Sequence, residues 1–312
     1  MQAVAPGGRC AASSDPDGAG ARYRKGRTHH GCNLEERIGC EMLRAVVLMV
    51  FAVVAATPSL AGAPYTVFLE DLTWTELRDT ISAGHTTAII PVGGVEQSGP
   101  DMALGKHDTR ARILSDRIAR ALGDALVAPV IAYVPEGSIS PPTGHMRFPG
   151  TLTVSPDVFR KVLQSAALSL KLHGFKEVVL VGEHGGYQSD LRAVADQLNR
   201  SWAGSTTHAH FVPEYYRAAT HDFFTVLEQR GHSAAEVGTH AGLADTSLML
   251  ALDPRLVRTE ALRSGAHLDA ADGVYGDPRR STAELGQLAV DDIVRRTTDA
   301  IRADVKRDRA GG

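Results

Sequence analysis

The chain has 312 residues, of which 43% are hydrophobic and 22% charged, an ordinary globular composition with length for one large core. Its formal net charge of −3 gives no global attraction to nucleic acid or to an anionic membrane surface. Cys10, Cys32 and Cys40 are its only cysteines, so the chain beyond them can hold no disulfide framework, zinc ribbon or catalytic thiol.

The N-terminal part reads in two pieces. Residues 1–41 are polar and rich in glycine and arginine, which fits a disordered leader or a translation start placed too early. Residues 42–63 have the layout of a secretory signal. Met42-Leu43-Arg44 supplies one positive charge, Ala45 to Ala56 is an unbroken apolar run, Thr57-Pro58 breaks it, and Ser59, Ala61 and Ala63 fit the small-x-small cleavage rule. The run is short for a membrane span; a buried core helix is the other reading. The expectation is a periplasmic or secreted mature protein, free of cysteine and of membrane segments, with one domain over residues 64–312.

Along the body, apolar β-branched runs alternate with helical patterns, which predicts an α/β domain with a mostly parallel sheet. Thr87–Val92 reads as a strand running into Gly93-Gly94. Thr109–Leu122 reads as a helix with Ile113, Ile118, Ala119 and Leu122 on its apolar positions, and Leu126–Tyr133 as a second strand. Pro156–His173 is a long helix closed by Gly174. Glu177–Val181 is a third strand with a turn at Gly182–Gly186, Ser189–Asn199 a helix, and His208–Val212 a fourth strand. Thr246–Leu252 reads as a buried helix and Ala283–Ala303 as an amphipathic terminal one. In open α/β sheets ligands bind beyond the carboxyl ends of the strands, where several polar clusters fall.

The first cluster follows the first strand. A Gly-rich turn presents Glu96, and His107 and Asp108 come shortly after Leu104-Gly105-Lys106. Carboxylate and imidazole are ligand types that suit zinc or manganese; Asp108 serves equally as a helix N-cap. The second is the rigid loop Pro141-Pro142-Thr143-Gly144-His145-Met146-Arg147-Phe148-Pro149-Gly150-Thr151, where His145 and Arg147 are candidates to face substrate. In the third, a buried strand delivers Glu183 and His184 into a turn of glycines, which lets backbone approach a metal or substrate closely. The fourth, Gly238-Thr239-His240-Ala241-Gly242-Leu243-Ala244-Asp245-Thr246-Ser247, sets His240 and Asp245 before an apolar helix that Asp245 could also cap.

Taken in order, the segments PVGGVEQSGPDMALGKHD, HMRFPGT, GEHGGY and HAGLADTS resemble the creatininase family over roughly residues 65–260. The resemblance implies a three-layer α/β/α sandwich with a mostly parallel central sheet, a Zn2+ or Mn2+ site, hydrolysis of an amide or cyclic amide C–N bond of a small molecule, and a homo-oligomer, often a hexamer. By position it carries metal ligation onto Glu96, His184, His107 or Asp108, and Asp245. Glu183 and His240 are then candidates for proton transfer, and His145 and Arg147 for holding substrate. The sequence also departs from the family pattern. A ligating His of the family falls on Ser98, and its metal-bridging Asp falls on His107 unless one residue is inserted. The flanking Asn positions of the His turn become Gly182 and Tyr187. One ion is therefore expected in preference to two. The rival expectations are a metallopeptidase or deformylase of the same family, or an exported metal- or ligand-binding protein without catalysis.

Overall fold

The computed structural model describes residues 66–311, so the leader and signal expectations lie outside the described residues. A single sheet of four parallel strands organises them: β1 (Thr87–Val92), β2 (Ala125–Val127), β3 (Glu177–Gly182) and β4 (His208–Phe211), in the spatial order β2-β1-β3-β4. All six residues of β1 and of β3 are buried, as expected of parallel strands covered on both faces. The register pairs Thr87 with Ala125 and Glu177, and Glu177 with His208.

Alternation along the strands sorts the core into two layers. Ile89, Val127, Val179 and Val181 face one side, packed with Leu114, Ile118, Tyr215, Leu248 and Val290. Ala88, Ile90, Leu126, Val178 and Leu180 face the other, with Phe159, Leu163, Tyr187, Leu191 and Trp202. The first layer is carried by α2 (Lys106–Leu122), α5 (Pro213–Arg217), α6 (Phe223–Gln229), α7 (Leu243–Leu252) and α8 (Ala283–Gly311). The second is carried by α1 (Trp74–Ser82), α3 (Pro156–Leu172) and α4 (Gln188–Ser201). The result is the three-layer α/β/α arrangement read from the sequence.

Local chemistry sets the boundaries. Thr73 and Glu76 close a capping box on α1, and Ser155 caps α3 with Pro156 in its first turn. Gly123 ends α2 in the left-handed conformation at φ 88°. α1, α5 and α6 have no counterpart in the sequence expectation, α7 starts at Leu243 instead of Thr246 and α8 runs to Gly311 instead of Ala303; two further differences bear on the site. β2 stops at Val127, because Pro129 cannot extend the ladder; the chain rejoins the sheet only as a bridge between Val92 and Ile131. And α2 starts at Lys106, three residues ahead of the predicted Thr109, which decides where the polar side chains of its first turn point.

Candidate metal centre and active site

The site lies past the carboxyl ends of β1 and β3. After β1, the chain lies directly on the first turn of α2. A Cβ on Gly93 would sit 2.2 Å from Asp108 Oδ1 and 2.8 Å from its Cα, so only glycine allows this approach. Gly94, at φ +144°, donates its N–H to Asp108 Oδ1 at 2.9 Å. Glu96 follows, its N–H held by Leu104 O at 3.0 Å and its side chain fully buried. Oε2 accepts from His107 Nε2 at 2.8 Å. Oε1 makes no hydrogen bond, yet His145 Nε2 lies 3.1 Å away and His184 Nε2 3.5 Å away. Burial opposes ionisation of Glu96, but the His107 and His184 rings outweigh it and hold the carboxyl well below the usual range.

β3 supplies the next pair. Tyr187, one turn on, is buried and hydrogen-bonds back to β1. Its hydroxyl accepts from Glu183 N at 3.0 Å and His184 N at 3.1 Å, and faces Val92 O at 2.9 Å and Gly93 O at 2.7 Å. This one oxygen ties the two strand ends together and fixes His184 opposite Glu96. Gly186 N–H reaches His184 Nδ1 at 3.1 Å and orients the ring. Burial alone would lower the His184 pKa, but Glu96 and Glu136 raise it.

The segment after β2 crosses over the same edge, held by hydrogen bonds from Gly93 N to Ile131 O and from Leu152 N to Val95 O, both 3.0 Å. It brings in Glu136, whose carboxylate is buried with neither oxygen hydrogen-bonded; Oε2 lies 3.6 Å from His184 Nε2. Burial pushes its carboxyl up to about 7. His145 arrives on the 3-10 turn Gly144–Arg147. His240 is set by an antiparallel bridge to Tyr275. Gln97 positions both rings: its Nε2 meets His145 Nδ1 at 2.6 Å, and its backbone O accepts from His240 Nε2 at 2.8 Å. The Gln97 amide is itself fixed by Gly99 N at 3.0 Å and Gly273 O at 3.1 Å. Burial lowers the pKa of His145 and takes that of His240 down to about 3.

Behind these groups lies a buried ionic network. Lys106 Nζ, with no solvent exposure, contacts Asp245 Oδ2 at 2.8 Å. Arg110 joins Asp245 Oδ1 at 2.7 Å to Glu183 Oε2 at 2.8 Å. The Tyr215 hydroxyl donates to Glu183 Oε1. Burial opposes ionisation of Asp245 and Glu183, but Lys106 and Arg110 for the first, and Arg110 with His107 for the second, hold both carboxyls low.

The structure thus places five of the sequence-derived candidates, His107, His145, Glu183, His184 and His240, on the wall of a cavity of about 340 Å³, within the size range of small-molecule sites, with the Glu96 carboxylate against His107, His145 and His184. His107 lies between Glu96 and Glu183, with Nδ1 3.6 Å from Glu183 Oε2, and acts as a carboxylate partner. Asp108 is turned away to the Gly94 amide. Asp245 borders the cavity, but both its oxygens are taken by Lys106 and Arg110. Arg147 is exposed on its turn and is not among the residues lining the cavity. Sequence reasoning missed Glu136, Gln97, Lys106 and Arg110. A signal existed for the last two: they precede the stripe Ala111, Leu114, Ile118 on one helical face, where a charge demands a partner. Glu136, in an irregular crossing segment, carried no comparable signal.

One ligand atom each from Glu96, Glu136 and His184 lie within 4.8 Å of one another, and the same holds for Glu96, His145 and His240. Carboxylate and imidazole suit zinc or manganese. Buried carboxylate oxygens without hydrogen bonds, facing imidazole nitrogens, are the atoms a cation would satisfy. The residues present fit such an ion.

Comparison with known proteins gives the same direction. The profile of the creatininase family, described as creatinine amidohydrolase, matches residues 70–301. The creatinine amidohydrolase of Pseudomonas putida is 28% identical over 260 residues, covering 76% of this chain and 96% of that protein. The mycofactocin precursor peptide peptidase of Mycobacterium tuberculosis is 28% identical over 243 residues, covering 67% and 83%. A solved structure titled as creatininase with Mn superposes with a TM-score of 0.65 at 24% identity, covering 77% of this chain and 99% of that one. With the profile spanning most of the described residues and the fold matching, the chain belongs to the creatininase family of hydrolases.

Proposed function

We propose that this protein is an exported, metal-dependent amidohydrolase that cleaves a non-peptide C–N bond, in an amide or cyclic amide, of a small molecule. The observation that carries the reading is the fully buried Glu96 carboxylate, with one oxygen free of hydrogen bonds and two imidazole nitrogens within 3.5 Å of it. Glu96 and His184 would hold a Zn2+ or Mn2+ ion, with Glu136 close enough to join them. When bound, such an ion supplies the Lewis acidity that polarises a carbonyl and activates water near neutral pH.

The chain's own residues do the rest. His107 holds Glu96 in place through Oε2. His240, its pKa taken down to about 3 by burial, stays neutral against Gln97 O, whereas His145, the more exposed of the two, can accept a proton at the cavity wall and return it to the leaving nitrogen. Tyr216 and Tyr275 line the cavity. The signal-like stretch 42–63 supports export to the periplasm or beyond, and the family resemblance supports a homo-oligomer.

A second reading, a metallopeptidase, is favoured by one feature. A groove past Arg192 and Phe211 shares Gly185, Tyr216 and Thr220 with the cavity and could lay out an extended chain. One panel of cyclic amides, linear amides and short peptides tests both readings. Glu96→Gln and His184→Ala should abolish chelator-sensitive hydrolysis of whichever substrate the wild type turns over. Full activity in either variant would refute the site.

A further inference from the structure

We propose that Glu136 is the third protein ligand of the site, and that the site takes one divalent cation, because Lys106 and Arg110 already neutralise its other two carboxylates. This rests on the metal-dependent reading above. Four buried or partly buried carboxylates lie at the site: Glu183 and Asp245 line the cavity, and Glu96 and Glu136 lie against His184. Asp245 and Glu183 are matched by Lys106 and Arg110 at 2.7–2.8 Å. Glu96 and Glu136 have no such partner: His107 meets Glu96 at Oε2, and neither Oε1 of Glu96 nor either oxygen of Glu136 is hydrogen-bonded. Two carboxylates with no lysine or arginine partner, both facing the His184 ring, are the donors one divalent ion would take. Buried charge without compensation is among the costliest arrangements in a protein interior.

The backbone is built to admit Glu136. Gly94 is at φ +144°, and a Cβ there would sit 2.8 Å from Glu136 Oε1. The Glu136 N–H is anchored by Thr153 Oγ1 at 3.0 Å. The alternative grouping brings no second carboxylate, since it shares Glu96 and adds only His145 and His240, both already held by Gln97. An ion placed there in addition would find no uncompensated negative charge.

The test is metal binding by the full chain, stripped with chelator and titrated with ZnCl2 against a chromogenic competitor, with elemental analysis of the reloaded protein. Wild type should take one equivalent per chain. Glu136→Gln should weaken the dissociation constant at least tenfold. It should also melt no lower than wild type when both are metal-free, since Glu136 makes no protein hydrogen bond to lose. Two equivalents in wild type would overturn the count. Unchanged affinity in Glu136→Gln, with loss of binding in Glu96→Gln, would overturn the role of Glu136 and leave the proposed function standing. A metal-free Glu136→Gln protein melting well below wild type would show a structural role and equally overturn the assignment. No binding by the wild type would sink both readings together.

Discussion

Tyr187→Phe removes one oxygen and keeps the ring, which packs on Phe159 at a centroid distance of 5.3 Å. That oxygen uses its full hydrogen-bonding capacity, two lone pairs for Glu183 N and His184 N and one proton shared between Val92 O and Gly93 O. On its loss, Glu183 N–H keeps Val92 O at 3.0 Å, whereas the His184 N–H loses its acceptor. One orphaned N–H costs ~1–3 kcal/mol, and the remaining lost bonding adds ~1 kcal/mol. The expected destabilisation is therefore ~2–4 kcal/mol, a drop of roughly 4–16 °C in melting temperature for a domain of this size. Urea unfolding should show a lower midpoint with an unchanged slope. The same variant should bind zinc more weakly, because the oxygen also sets His184 against Glu96. A shift under ~0.5 kcal/mol, with unaltered zinc affinity, would show that the strand ends are fixed by something else.

Two further perturbations address the scaffold. Lys106→Met leaves the partly buried Asp245 with Arg110 as its remaining cationic partner and should cost ~3 kcal/mol. Lys106→Met/Asp245→Asn should cost less than the sum of its parts by ~1–3 kcal/mol in urea unfolding, and simple additivity would refute the pairing. Gly286→Ala tests the crossing of α7 and α8, where a Cβ would lie 1.9 Å from Ser247 O. Forced separation of the helices should lower stability by ~1–3 kcal/mol, read as a lower melting temperature, and a neutral result would show that the helices can part freely.

The division of the molecule into what the sequence discloses and what it hides has a physical basis. The sheet was legible because Thr87–Val92 and Glu177–Gly182 are buried on both faces and therefore read as continuous apolar runs. The strand-end positions of Glu96 and His184 followed from it, since a parallel sheet puts its polar turns along one edge. The roles of the side chains between them were not legible in the same way, because they depend on helix phase. Starting α2 at Lys106 instead of Thr109 turns Lys106, His107 and Arg110 inward and leaves Asp108 facing the Gly94 amide. Asp108 and Asp245 looked like ligands because they are carboxylates in the right segments. In the fold their charge is spent on a backbone amide and on two buried cations. Glu136 shows the converse: its significance lies in an absence of partners, which only the assembled interior displays. Ligand type can be read along a chain, but ligand identity follows from which buried charges the rest of the protein leaves uncompensated.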